Sequence, residues 1–220
     1  MRLLHSRTLE LKSFVDDIPP YAILSHCWGE EEVVFADLAD LELAKKKKGF
    51  MKIEKTCELA VQAGFDYVWI DTCCIDKSSS AELSEAINSM FAWYKNSGKC
   101  FAYLFDVEKS QSTFANSKWF TRAWTLQELI APSILHPGGR NGMIFYSRDW
   151  RLLGNKMNLR FYISDITGVP LEYLEGKSLD TASISMRMSW AAERRATRAE
   201  DIAYSLLGIF DVNMPLLYGE

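Results

Sequence analysis

The sequence predicts an α/β fold: a parallel sheet with helices on both faces, followed by a helical C-terminal extension. Three observations predict it. Short apolar runs at 21–27, 67–71, 100–105 and 143–147 alternate with helical patterns of about a dozen residues, as βαβ units do. The runs are apolar nearly throughout, rather than at every second residue, so both sheet faces are covered. Right-handed crossovers then distribute the connecting helices over the two faces.

Each element has its own local signal. YAILSHC (21–27) is bounded by Pro19-Pro20 before and Trp28-Gly29 after. Residues 30–49 turn from acidic to lysine-rich and read as an exposed insertion or a short helix. Over 52–63, Ile53, Cys57, Ala60 and Val61 recur at helical spacing, and Gly64 is the C-terminal stop. YVWID (67–71) is rich in aromatic and β-branched residues, as strands are. Ser79 with Glu82 forms a capping-box pattern that opens a helix carrying Leu83, Ile87, Met90, Phe91 and Tyr94 on one face and stopping at Gly98. CFAYLF (100–105) is the third strand. Residues 119–131 are predicted as one continuous helix ended by Pro132. Gly138-Gly139, between His136 and Asn141, is a turn, and MIFYS (143–147) is the fourth strand. Thereafter the strand pattern disappears, and 184–208 reads as helix.

The 220 residues carry 25 Lys+Arg against 29 Asp+Glu, a net charge of −4, with 48% hydrophobic and 25% charged residues. That balance excludes a disordered chain and a fibre. Folding a chain of this length buries roughly 70% of its extended surface, so a single unit over 1–220 is expected, with the α/β core at about 20–150 and the extension at about 151–220. Mild acidity supplies no basic footprint for nucleic acid, and the lysine run at 45–48 reads as a solvated loop. MRLLHSRTLELK lacks the apolar stretch of a signal peptide. No apolar run reaches the roughly 18 residues that span a bilayer. Five cysteines, two of them adjacent and none in a CxxC pair, fit a reduced protein, so a cytoplasmic location is expected.

In an open parallel sheet, ligands bind beyond the carboxyl ends of the strands, near the point where strand order reverses. The strand ends therefore nominate residues: Ser25, His26, Cys27 and Trp28 after the first strand, Asp71 to Cys74 and Asp76 after the second, and Asp106 after the third. On a continuous helix, Trp119, Ala123, Leu126 and Ile130 form the sheet-facing stripe. Trp124 and Glu128 then lie one turn apart on the far side. Two readings of that pair stand: an indole and a carboxylate walling a pocket, or a solvated glutamate beside a Trp tucked under a loop. His26 with Cys73 or Cys74 is a conceivable base–nucleophile pair, against the alternative of buried thiols acting as small hydrophobes. His26, Cys27, Asp71 and Cys74 fit no structural zinc spacing, so no metal is expected. Arg122 suits a bidentate phosphate, or equally an acid such as Asp71. P-loop and GxGxxG signatures are both absent.

Four strings carry a resemblance: YAILSHCWG (21–29), YVWIDTCCIDK (67–77), WFTRAWTLQELIAP (119–132) and RRATRAEDIAYSLLGIFDVNMPLLYGE (194–220). Together they resemble the fungal HET, or heterokaryon incompatibility, domain, found at the N-terminus of NLR-like incompatibility and cell-death proteins. In such proteins nucleotide-binding and repeat domains follow the equivalent of LLYGE. HET domains are in turn similar to TIR domains, which have a flavodoxin-like parallel sheet. The string Trp124-Thr-Leu-Gln-Glu128-Leu129 is similar to the Trp-Cys-x-x-Glu-Leu string of TIR enzymes, with Thr125 in place of Cys. There the glutamate supports cleavage of the nicotinamide–ribose bond of NAD+.

The resemblance thus implies Glu128 as the catalytic residue and residues 71–80 as a loop over the site. Ser25, His26, Trp28, Asp71, Cys74, Arg122 and Trp124 are implied as substrate contacts. NAD+ enters as substrate and no cofactor is implied; self-association or pairing with other HET domains completes the site. Residues 30–49, everything after about 150, and SHCWG depart from the TIR pattern. The rival expectation is a non-enzymatic interaction module that pairs through its SHCWG and WTLQEL surfaces.

Overall fold

A computed structural model describes residues 1–108, 111–132 and 142–219. The Gly138-Gly139 turn lies outside the described residues. The chain opens with a hairpin, β1 (Arg2–His5) and β2 (Leu11–Ser13), followed by β3 (Tyr21–His26). After a 3-10 turn at Phe35–Ala39 come the short α1 (Leu41–Ala44), α2 (Phe50–Gln62), β4 (Tyr67–Trp69), α3 (Ser80–Asn96) and β5 (Lys99–Tyr103). Then follow α4 (Gln111–Phe114), a 3-10 turn at Lys118–Thr121, α5 (Thr125–Ile130), β6 (Met143–Tyr146) and β7 (Leu152–Asn155). The remainder is helical: α6 (Lys156–Thr167), α7 (Leu171–Leu174), α8 (Ile184–Ser189), α9 (Ala199–Tyr204) and α10 (Leu207–Phe210).

Among the described residues one 7-stranded sheet runs in the order β2-β1-β4-β3-β5-β6-β7. The four strands expected from the sequence are its parallel centre: β3 pairs in parallel with β4 and β5, and β5 with β6. All six residues of β3 are buried, as a strand covered on both faces requires. The chain leaves β3 toward β4 on one side and returns to β5 on the other. With right-handed crossovers this puts α2 and α3 on opposite faces, and β3 is the strand at which order reverses.

The two antiparallel edges were not expected. β1 pairs with β4 and β2, and β7 pairs with β6. The hairpin had a signal in the alternation of MRLLHSRTLELK, and its turn holds Leu9 at φ 57.

Two predicted helices are broken. Residues 119–131 are interrupted at Arg122, whose backbone is extended (φ −80, ψ 136). The cause lies far along the chain. Arg195 N–H donates to the Thr121 carbonyl (2.7 Å), Ala123 N–H donates to the Arg195 carbonyl (2.8 Å), and Arg122 and Arg195 form a parallel β-bridge. The buried Arg194 guanidinium fixes the break, donating to the Arg122 carbonyl (2.9 Å) and the Thr125 hydroxyl (3.0 Å). The same bridge interrupts the helix expected over 184–208, leaving α8 and α9 on either side.

Other local signals behave as read, with adjustments. Gly64 follows α2 at φ +84, where an L side chain is strained. The Ser79 hydroxyl caps α3 by accepting from Glu82 N–H (3.3 Å). The reciprocal half of the box is replaced, because Glu82 accepts from Asp76 N–H (2.8 Å) and pairs with Arg2 (2.6 Å). Residues 30–49 are not wholly exposed: the Glu32 carboxylate is buried in an ion pair with Lys52. Lys45, Lys47 and Lys48 pair with Glu42, Asp37 and Glu31 at the surface.

One hydrophobic cluster extends from Leu3 to Ile209, so the helical extension shares the core of the sheet. At its seam with α3, a Cβ on Gly208 would lie 2.1 Å from the Phe91 Cβ. Gly208→Ala is therefore expected to cost about 1–3 kcal/mol or more, read as a lower urea midpoint with an unchanged slope.

Candidate active site

At the carboxyl ends of β3 and β4 lies a cavity of about 260 Å³. Of the nominated residues, His26, Trp28, Asp71, Arg122, Trp124 and Glu128 line it. Ser25 sits directly behind. Cys74 is not among the lining residues: it is buried under the 71–79 turn, where its thiol takes the Ile70 N–H (3.4 Å).

Glu128 is neither solvated nor on an exposed face. Every residue of α5 is buried, Glu128 at 5% exposure. This excludes the solvated-glutamate reading and also removes WTLQEL as a docking surface. Trp119 Nε1–H, which can only donate, gives its proton to Ser25 Oγ (2.8 Å), and Ser25 in turn donates to Glu128 Oε2. Burial is the main cause pushing this carboxyl from 4.5 up to about 8, and the Asp71 charge adds to it. The Ser25 hydrogen bond, Arg122 and Tyr94 oppose the rise.

Asp71 is shifted the opposite way. Burial, the largest single effect, would raise its pKa, but the His26 imidazole, the Lys77 charge and the Trp28 N–H together outweigh it and hold the carboxyl at about 2. Its Oδ1 lies 2.9 Å from His26 Nε2, and its Oδ2 accepts from Trp28 Nε1–H (2.7 Å). The imidazole is held from behind by the Lys52 ammonium, 3.1 Å from Nδ1. An ammonium only donates, so Nδ1 accepts and Nε2–H faces Asp71. The cavity thus holds two carboxyls driven far apart, a strong acid and a weak one, the usual mark of acid–base division of labour.

Sequence reasoning missed several lining residues. Lys77 Nζ lies 3.3 Å from the Trp28 ring centroid, buried and without a hydrogen-bond partner, and burial lowers its pKa. It covers one face of the indole, leaving the other for a planar ligand. Arg198, Asp201 and Tyr218 reach the cavity from the C-terminal segment. That segment is strapped down where the Asn88 side chain exchanges two hydrogen bonds with the Met214 backbone (both 3.0 Å), and where the Tyr204 hydroxyl bonds the Leu217 backbone. Nothing local in 198–218 signals this role, since folding alone brings the segment over the site.

The thiol alternative does not survive. All five cysteines are buried. Burial pushes Cys27 and Cys57 up to about 12 and Cys100 well above the usual thiol range, and the Cys74 thiol, together with burial, raises Cys73 likewise. His26 bonds to Asp71 and Lys52, and neither Cys73 nor Cys74 is among its partners. Among the described residues no cluster of His, Cys, Asp or Glu is placed to hold a metal ion, and no helix is long and apolar enough to cross a membrane.

Residues 21–115 match the family described as Heterokaryon incompatibility protein (HET). Vegetative incompatibility protein HET-E-1 of Podospora anserina is 49% identical over 215 residues, covering 92% of this chain. The chain spans 15% of the length of that relative. No solved structure matches. Ordered across the whole α/β core and into the extension, these likenesses show that the chain belongs to the heterokaryon incompatibility (HET) family.

Proposed function

We propose that this domain is a cell-death effector of fungal heterokaryon incompatibility that acts in the cytoplasm by cleaving the nicotinamide–ribose bond of NAD+. One observation carries the reading: a buried glutamate, oriented through Ser25 and Trp119, lines the same cavity as Trp28 and Asp71 at the strand where sheet order reverses. The order β4-β3-β5-β6 of the four parallel strands is the one expected of a TIR-like, flavodoxin-like sheet and supports the reading.

In the reaction, the C1′–N1 bond breaks with its electron pair passing to the nicotinamide nitrogen. An oxocarbenium-like ribosyl centre remains; water adds to C1′ and releases one proton. A fixed carboxylate next to that centre stabilises the developing charge or holds the 2′-hydroxyl. A cationic pyridinium ring beside this raised carboxyl favours its charged form, so substrate binding draws the pKa down from about 8 and the proton leaves to solvent. Trp124 and the open face of Trp28 frame the leaving ring, while His26 and Arg122 reach the ribose and phosphates. Self-association, or pairing with another HET domain, completes the site.

The test is nicotinamide release from NAD+ by concentrated or force-oligomerised protein. Turnover is expected in the wild type and in Cys73→Ser, and is lost in Glu128→Ala. If the wild type shows no turnover in any oligomeric form, or Glu128→Ala retains wild-type turnover, the reading is wrong.

A further inference from the structure

Beside the Glu128 cavity, which mixes carboxyls with cations, lies a second one of about 450 Å³, sharing Trp28 and Arg122 with it. Its charged lining is basic only. Lys118, Arg122 and Arg195 line it together with Thr197, and Phe105 joins Trp28 as a second aromatic wall. No carboxylate lines it. The nearby Asp106 is engaged elsewhere, accepting from Ser117 Oγ (2.7 Å) and Lys118 N–H (2.8 Å).

The cations are held together rather than scattered. Arg122 and Arg195 stand directly opposite each other in the β-bridge, their backbones locked by the two hydrogen bonds across it. Like charges opposite one another across paired strands destabilise the pairing. Among the described residues neither guanidinium, nor the Lys118 ammonium, has an ion-pair or side-chain hydrogen-bond partner. In a chain of net charge −4, three cations line one hollow with no carboxylate among its lining residues; Lys118 Nζ lies 6.0 Å from the Phe105 ring centroid, and Arg122 also acts on Glu128.

We infer that this second cavity is the diphosphate subsite of the enzyme: it takes the pyrophosphate of a dinucleotide or nucleoside diphosphate on Lys118, Arg122 and Arg195, with a base against Phe105 or Trp28. The identity of the ligand rests on the glycohydrolase reading, but the anion site rests on its own residues. Arg122, common to both cavities, places the bound phosphates next to the ribose that faces Glu128. Guanidinium forks match phosphate oxygens two at a time.

The probes are ADP and inorganic pyrophosphate, titrated calorimetrically into wild type and into Lys118→Glu and Arg195→Glu. Lys118→Gln and Arg195→Gln serve as milder replacements should a reversal unfold the protein. ADP is expected to bind, to be displaced by pyrophosphate, and to bind about tenfold or more weakly in each variant, since a charge-assisted hydrogen bond contributes about 1.5–3 kcal/mol. If NAD+ is cleaved, KM rises in these variants while kcat stays close to wild type. ADP binding that all four replacements leave unchanged, or no ADP binding at all, overturns the subsite even if Glu128-dependent cleavage persists. Replacement-sensitive ADP binding without NAD+ cleavage upholds the subsite and removes the glycohydrolase reading. Binding to phosphatidylserine vesicles but not to ADP overturns the nucleotide assignment.

Discussion

Glu128→Gln is expected to be both inactive and more stable than the wild type, with the stability gain growing as pH rises. On the glycohydrolase reading, loss of the carboxylate removes a negative group facing the developing ribosyl cation; a single preorganised electrostatic contact of this kind contributes about 10²–10³-fold in turnover. The stability effect follows from burial. The Glu128 carboxyl is raised from 4.5 to about 8, so between those pH values the folded protein keeps a proton that the unfolded chain has released. Its contribution to stability is fully present below about pH 4.5 and is lost as pH rises through about 8. By pH 8.5 the cost of holding Glu128 folded reaches on the order of 4 kcal/mol. Glutamine has no proton to lose and keeps an oxygen for Ser25. Urea midpoints of the two proteins should therefore be close at pH 4.5 and diverge toward pH 8.5, with the variant higher. A gap that does not widen with pH would mean that Glu128 is not titrating in a buried site. The same ionisation gives kcat/KM an acid limb, which Arg122→Ala should move to higher pH by removing a charge that favours the carboxylate.

The largest loss of stability is expected at Lys156, a residue with no place in the chemistry. Its side chain is 0% exposed, and Nζ donates to the carbonyls of Leu129 (2.6 Å) and Pro132 (2.8 Å) at the end of α5. These are carbonyls that a helix C-terminus leaves without partners. Lys156→Met keeps the approximate volume and strands both carbonyls in the core, a loss of about 2–5 kcal/mol. The sign with pH is opposite to that of Glu128. Burial lowers Lys156 from 10.5 to about 7, so between pH 7 and 10.5 the unfolded chain binds the extra proton and the folded state gains stability as pH rises. A neutral amine still donates both hydrogen bonds. The deficit of Lys156→Met should therefore be larger at pH 9 than at pH 6, measured by urea unfolding. Because α5 is only six residues long and carries Glu128, loosening its end should also lower turnover.

Much of this was legible in the chain, and the limits have a physical cause. The four parallel strands and α2 and α3 follow from apolar runs, helical spacing, Gly64 and Ser79, all local signals. His26, Trp28 and Asp71 converge because they follow neighbouring strand ends in an open sheet, and Arg122, Trp124 and Glu128 join them from the broken helix around α5. The helix around Arg122 was misread because its interruption is imposed by Arg195, on a segment that sequence spacing cannot bring near. Spacing leaves the exposure of Glu128 open for the same reason: a helical wheel knows one covering surface, whereas every residue of α5 is buried. Lys77 and Tyr218 lie inside two of the strings that carry the resemblance, but neither stands at a strand end and no spacing gives either of them a role.

The strap formed by Asn88, Met214, Tyr204 and Leu217 has a consequence for anyone choosing where to cut this protein. A fragment clipped near residue 210 would keep its sheet, its buried glutamate and its basic hollow, yet would present the reacting groups in an open trough washed by bulk water. Two fragments differing by a few residues at the tail would then disagree about activity while agreeing about everything upstream.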